Sequence, residues 1–143
     1  MISVSLVRSL RGTRISLKDV ERIASYVCKK EKVRDAELSF VIIDDGKIRT
    51  INKKFLGHDY STDVITFPLE EKKVSAEIYI NARQLKRQAK ENGVTAQNEM
   101  TRLVVHGTLH AIGYDDTKSL SKKRMFAVQE RYVEQLSLKK QGM

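Results

Sequence analysis

The chain has 143 residues, 41% of them hydrophobic, with one cysteine and a formal net charge of +9. This length suits one ordinary domain, 1–143, whose core needs no disulfide or structural metal. No apolar run approaches the roughly 18 residues of a membrane span, and the N-terminus has no signal-peptide pattern, so we expect a cytoplasmic protein that does not enter a membrane. The positive charge favours polyanionic partners, of which RNA is one.

The first half of the chain predicts two strands and two helices. Residues 2–7 alternate like a strand, and Ser16 can cap the helix that follows. The apolar stripe of this helix comprises Leu17, Val20, Ile23, Ala24 and Val27. Cys28 lies on the same side and is predicted to be a buried thiol, not a nucleophile. Alternation at 38–42 predicts the second strand, and an Asp-Asp-Gly turn at 44–46 leads into a short helix.

The second half predicts two strands and three helices. A polar loop at 57–63 precedes the strand at 64–69, where Pro68 indicates an edge or an exit, and residues 76–80 form the fourth strand. The helix boundaries are marked by Asn81, Gly93 and Thr95, and a last apolar stripe covers 119–138. Because strands mostly precede the long helices, the pattern predicts an α+β fold with about four strands and about five helices.

Two of the three histidines, His106 and His110, stand at i and i+4. On a helix they share one face, so both imidazoles can reach one ion. Gly113 can end the helix in a left-handed conformation and turn the chain back, which would bring Asp115 or Asp116 round as a third ligand. Two nitrogens and one oxygen, with a fourth position for water, are typical of a catalytic metal site. The alternative is a pair of hydrogen-bonded core imidazoles.

The residues between the histidines exclude one common class of metalloenzyme and resemble another. The metalloprotease motif H-E-x-x-H has a glutamate as general base where this chain has Gly107. The pattern over 106–116, His-Gly-x-Leu-His-x-x-Gly-Tyr-Asp-x, resembles the signature of the YbeY family of bacterial metal-dependent endoribonucleases. Residues 51–55 and 61–68 resemble two further blocks of that family, and the resemblance spans roughly 36–136.

Two positions depart from the family pattern. Leu56 stands where the family commonly has an arginine, so no role of that arginine carries over. Asp116 stands where the signature normally ends in a third histidine. Aspartate is still a zinc ligand, but its negative charge makes the metal a weaker Lewis acid, and two histidines with one carboxylate also suit other first-row metals, including iron.

The resemblance implies a small mixed sheet packed on helices, with a zincin-like metal helix. It implies one Zn²⁺ per chain, or another divalent metal, held by His106, His110 and Asp116, with Asp115 as the alternative third ligand. Three more residues are candidates for the cleft wall or for the general base: Thr62, Asp63 and Glu77. Their alternatives are a cap of the third strand for the first two and a plain surface acid for the third. His58 is predicted to be a solvated loop residue within reach of the cleft.

The function implied by the resemblance is cleavage of single-stranded RNA, in 3′-end maturation of the small-subunit rRNA and in ribosome quality control. The expected partners are therefore rRNA and the small ribosomal subunit. A water activated by the metal could attack phosphorus directly or act as base toward a ribose 2′-hydroxyl. Two rivals stay open: a non-catalytic ribosome or RNA-binding assembly factor with a structural metal, and a metal hydrolase acting on a small molecule or peptide.

Overall fold

A four-stranded mixed sheet and five helices make up the computed structural model, which describes residues 1–140. The strands are β1 (Ile2–Arg8), β2 (Ala36–Ile43), β3 (Val64–Pro68) and β4 (Val74–Asn81). The helices are α1 (Leu17–Lys30), α2 (Asp45–Leu56), α3 (Ala82–Glu91), α4 (Ala96–Ile112) and α5 (Ser119–Lys140). The predicted α+β class is confirmed, with its four strands and five helices in the described part of the chain. The last three residues of the predicted domain lie outside that part, and the single-domain organisation stays a prediction.

The sheet has the strand order β1-β2-β4-β3. The pairs β1–β2 and β2–β4 are parallel, and β3 pairs antiparallel with β4. Strands and helices follow one another in the order that the sequence pattern predicted. Parallel neighbours such as β1 and β2 need a crossover connection, and here α1 supplies it. The prediction from Pro68 is confirmed, since it ends the edge strand β3, where a missing N–H costs little.

The core lies between one face of the sheet and the helices α1, α4 and α5. Fully buried side chains of β2 and β4, such as Phe40 and Ile78, share one cluster with the apolar stripe of α1. The prediction that Leu17 belongs to this stripe is wrong. It is the first residue of α1, lies outside the packed cluster and is 44% exposed. Cys28 is buried as predicted, and burial raises the pKa of its thiol to about 11, so it is not a nucleophile at neutral pH.

Helix α4 lies unusually close to the sheet at Gly107. A Cβ atom on this residue would stand 2.6 Å from Cγ2 of Ile78, a separation that packed atoms do not reach. The hydroxyl of Thr66 on β3 donates to the Gly107 carbonyl over 3.2 Å. This close contact fixes the height and rotation of α4 above the edge of the sheet, and with it the direction of the two flanking histidines. Among residues 1–140, no helix combines the length and the hydropathy that crossing a bilayer requires.

Candidate metal centre

The turn after α4 brings a carboxylate back over the last turns of the helix. Gly113 has φ +123, and its N–H donates to the carbonyls of His110 and Leu109. The next N–H, of Tyr114, also donates to Leu109, over 3.0 Å, which completes a Schellman motif. Because a side chain at φ +123 is strained, glycine suits this position. The segment after Gly113 therefore runs back beside the helix and carries Asp116 to the histidines.

Three ligand-type atoms converge at this place. The Nε2 atoms of His106 and His110 lie 3.1 Å apart, and Oδ2 of Asp116 lies 3.2 Å from the second and 3.8 Å from the first. Tetrahedral ligation with bonds of about 2.0–2.1 Å separates neighbouring ligand atoms by about 3.3 Å. The residues therefore fit a divalent metal ion, and each side chain is between a quarter and two fifths exposed, which leaves one side of the cluster open.

Hydrogen bonds on the far side of each ring set the histidine tautomers. Nδ1 of His106 lies 2.6 Å from Oε1 of Gln129, and Nδ1 of His110 lies 3.0 Å from the carbonyl oxygen of Tyr114. Both partners are acceptors, so each Nδ1 carries the proton and donates it. The two Nε2 lone pairs consequently face each other and Asp116, which is the arrangement that metal-binding imidazoles adopt.

A chain of charged and polar side chains holds Gln129 in this orientation. Its amide NH₂ donates to Glu130 over 3.1 Å, so its oxygen must point to the histidine. Arg102 donates to both oxygens of Glu130 and also to the buried Glu99, which accepts in turn from Gln88. Burial raises the pKa of Glu130, but the hydrogen bonds from the Arg102 guanidinium and the Gln129 amide outweigh it, so its pKa lies below the usual value.

Sequence reasoning missed Gln129. The available signal was a polar residue one turn after Met125 on the apolar side of α5, and Gln129 is in fact buried. A glutamine at such a position indicates a buried hydrogen-bond partner on a facing element, because an unpaired buried amide is costly. The sequence pattern does not say which element supplies that partner.

The two aspartates of the turn have different environments. Both carboxylate oxygens of Asp115 accept from Thr117, one from its N–H and one from its hydroxyl. These hydrogen bonds from the backbone and side chain of Thr117 hold the pKa of Asp115 below its usual value. The cluster of ligand-type atoms within 4.8 Å therefore contains Asp116 and not Asp115. The register implied by the family resemblance favours the same residue.

The cluster forms part of the wall of an open cavity of about 520 Å³ between α4 and the loop before β3. Thr62 and Asp63 both line this cavity, and Asp63 also caps β3 by accepting from the N–H of Val64. Leu56 and His58 line it too. The position where the family commonly has an arginine therefore contributes an apolar side chain to the same cavity.

Glu77 is not in this cavity. It lies on β4 directly before Ile78, whose side chain faces α4, and neighbouring residues of a strand face opposite sides of the sheet. Its pairing partner on β3 is Phe67, and its neighbour on the same face is Tyr79. The expectation that Glu77 belongs to the cleft is corrected by this alternation.

Two buried asparagines anchor the loop that forms the outer wall of the cavity. Asn52 on α2 donates its amide to the carbonyl of Tyr60 over 3.0 Å. Asn81, at the end of β4, donates to the carbonyl of Thr62 and to Asp45. The loop after α2 is therefore fixed to the sheet on one side and to α2 on the other, so that Thr62 and Asp63 stand opposite the cluster.

The fold and this site define a class: an α+β protein with a His/His/Asp cluster that could hold a metal ion at the end of a helix, and an open cleft beside it. The family model described as Endoribonuclease YbeY matches residues 10–137. The chain therefore belongs to the YbeY family.

Individual relatives agree with this assignment. The Endoribonuclease YbeY of Thermotoga petrophila is 36% identical over 121 residues, which cover 84% of this chain and 80% of that protein. The protein of the same name from Bacillus velezensis is 35% identical over 137 residues, 86% of this chain and 87% of the relative. The solution structure of TM1509 from Thermotoga maritima matches with a TM-score of 0.72 and 31% identity, over 99% of this chain and 93% of that one. The resemblance to the family is confirmed.

Proposed function

We propose that this protein is a metal-dependent endoribonuclease that cleaves single-stranded RNA in the cytoplasm, in 3′-end maturation of the small-subunit rRNA and in ribosome quality control. The observation that carries the proposal is the convergence of two imidazole Nε2 atoms and one carboxylate oxygen at the wall of an open cleft. The relatives named for endoribonuclease activity support RNA as the substrate class.

In this proposal each residue of the centre has a separate task. His106, His110 and Asp116 hold the ion, for which we favour Zn²⁺ over other divalent metals because it accepts two nitrogens and one oxygen with an open fourth position. When bound there, a divalent cation would activate water and stabilise charge at the scissile phosphate. Gln129 keeps the first imidazole in the tautomer that exposes its Nε2 lone pair. The net charge of +9 favours a polyanionic substrate.

The metal assignment is tested by zinc content. After extensive dialysis, we expect the wild-type protein to retain one zinc per chain and His106→Ala to retain none. His58→Ala is the matched control, because this histidine lies in the same cavity but outside the cluster. Full zinc content in His106→Ala would refute the ligand set.

The substrate assignment is tested by cleavage of a single-stranded rRNA fragment with and without added Zn²⁺. We expect cleavage that requires the metal, and we expect His110→Ala to be as inactive as the metal-free protein. A zinc-loaded preparation that leaves the RNA intact but hydrolyses a peptide or a small ester would refute it. The peptidase alternative has one structural argument against it: position 107 packs against Ile78 and has no room for the glutamate of H-E-x-x-H.

The second candidate is an RNA-binding assembly factor with a structural metal. Leu56 favours it, since this apolar residue lines the cavity where the family resemblance leads us to expect a cation. Retained RNA affinity without cleavage, together with lower thermal stability after metal removal, would support this candidate. In that case Leu56→Arg is the first variant to assay for restored turnover.

A further inference from the structure

The His/His/Asp cluster lies between two cavities. One is the 520 Å³ cavity on the β3 side, and the other, of about 340 Å³, lies on the α5 side. Both include His106 and Asp116 in their walls. A linear polymer bound at the cluster can therefore place one of its monomers in each of the two cavities.

The α5-side cavity combines an exposed aromatic ring with two cations. Phe126 is 60% exposed and lines this cavity together with Lys122 and Lys123. On α5 the two lysines precede the phenylalanine by four and three residues, so both stand one helical turn from the ring. The neighbouring inward positions, Met125 and Gln129, are buried. Phe126 is thus not part of the core, and among the described side chains neither lysine has a carboxylate partner.

We propose that Phe126, Lys122 and Lys123 form a nucleotide subsite beside the metal centre. The base of a nucleotide next to the cleaved bond stacks on the Phe126 ring, and the lysines contact its phosphates. The inference rests on the proposed function, because it identifies the occupant as single-stranded RNA. An exposed aromatic ring beside cations is the combination with which proteins bind unpaired bases and their backbone.

The cavity on the β3 side has a counterpart to this platform. The rings of His58 and Tyr60 have centroids 5.4 Å apart and are inclined by 34°, and both residues are exposed. A base can therefore stack on either side of the cluster. Bases within a duplex do not offer their faces to a side chain, so two flanking platforms would select single strands over double strands.

The test is binding of a fluorescein-labelled oligoadenylate of about ten nucleotides, a length within the site sizes of single-strand binders. EDTA is present so that turnover does not consume the probe, and anisotropy reports the dissociation constant. We expect Phe126→Leu to weaken binding roughly 5- to 100-fold and Phe126→Tyr, which keeps the ring, to bind like the wild type. Leu120→Ala is the matched control, because Leu120 is exposed on the same helix but does not line the cavity.

The lysines are tested through the salt dependence of the same binding. Lys122→Gln should reduce the slope of log affinity against log salt by about one. The control is Lys90→Gln, which replaces an exposed lysine near the end of α3 that does not line the cavity, and this variant should keep the slope of the wild type. Binding of a duplex of the same length should not respond to Phe126→Leu.

The subsite is refuted if Phe126→Leu binds the oligoadenylate like the wild type, or if Leu120→Ala weakens binding as much. These outcomes are independent of the nuclease assay. A wild type that binds through Phe126 but never cleaves would keep the subsite and refute the proposed activity. A wild type that cleaves, with Phe126→Leu equal to it in binding and cleavage, would keep the activity and refute the subsite.

Discussion

At the scale of single residues, the proton on each imidazole Nδ1 decides whether the cluster can bind a cation. The amide oxygen of Gln129 accepts the Nδ1 hydrogen bond of His106, whereas the backbone carbonyl of Tyr114 accepts that of His110. Within residues 1–140, no backbone acceptor is found for the His106 ring. Gln129→Leu keeps the volume but removes the acceptor, so the imidazole can rotate or change tautomer. We expect zinc affinity to fall roughly 10- to 100-fold, as measured by competition with a chromophoric chelator.

The control for this variant is Gln135→Leu, which removes a glutamine from the same helix that accepts a hydrogen bond from the Tyr26 hydroxyl and lies outside the chain that holds Gln129. It should keep the zinc affinity of the wild type. An unchanged affinity in Gln129→Leu would mean that His106 is oriented by packing alone. Reduced affinity in both variants would instead indicate a general loss of stability.

At the scale of elements, Asp45 joins the start of α2 to α3 and to the cleft loop. Its carboxylate accepts from Arg87, Asn81 and Ser61, and these hydrogen bonds, that of Arg87 first, lower its pKa to about 2. The pKa of an aspartate in the unfolded chain is about 3.9. The ionised Asp45 carboxylate therefore contributes its full share to the free energy of unfolding above about pH 5, and this share is lost as the pH falls toward 2. The side chains of Asp45 and Arg87 are both two fifths or more exposed. We therefore expect their ion pair to contribute only about 0.2–1 kcal/mol to the free energy of unfolding.

Asp45→Asn should therefore lower the free energy of urea unfolding at pH 7, and the difference from the wild type should shrink below about pH 3. Urea titrations at a series of pH values measure this directly. A difference of the same size at pH 2.5 and pH 7 would show that the carboxylate charge is not involved. At pH 7 the variant should also raise the amide exchange rates of the loop at 61–63, which Asp45 and Asn81 hold in place.

Local patterns in the sequence predicted the helices, the strands and the three residues of the cluster. Alternation predicted β2 and β4, and the spacing of apolar residues predicted α1 and α5. The i, i+4 histidines with Gly113 predicted that a carboxylate of the turn would approach both rings, and the family resemblance favoured Asp116 over Asp115 as that carboxylate. The roles of Gln129 and Gly107 could not be predicted, because each depends on a contact with another element, His106 for the first and Ile78 for the second. Glu77 differs from these two, because Ala76, Ile78 and Ile80 alternate as the buried face of β4 and the same sequence pattern already places Glu77 on the opposite face.

At the scale of the whole molecule, the cluster joins the end of α4, the turn at 113–118 and, through Gln129, the helix α5. An ion that binds the folded but not the unfolded chain stabilises the fold by RT ln(1 + [L]/Kd), about 2.7 kcal/mol at a hundredfold excess over Kd. For a domain of this size we expect zinc to raise Tm by about 5–15 °C relative to EDTA, measured by calorimetry.

The two adjacent aspartates make this measurement specific for the third ligand. Asp116→Ala should lose most of the zinc-dependent rise in Tm, because of the two adjacent carboxylates it is that of Asp116 that lies with the histidine nitrogens. Asp115→Ala should keep that rise, although its Tm should fall with and without zinc, since the bonds to Thr117 that hold the turn are lost. The reverse pattern, with the rise lost in Asp115→Ala and kept in Asp116→Ala, would show that Asp115 is the third ligand. The same turn positions both aspartates, so either substitution can lower Tm by disturbing the turn. The difference between the two variants in the zinc-dependent rise of Tm therefore identifies the residue that binds the ion.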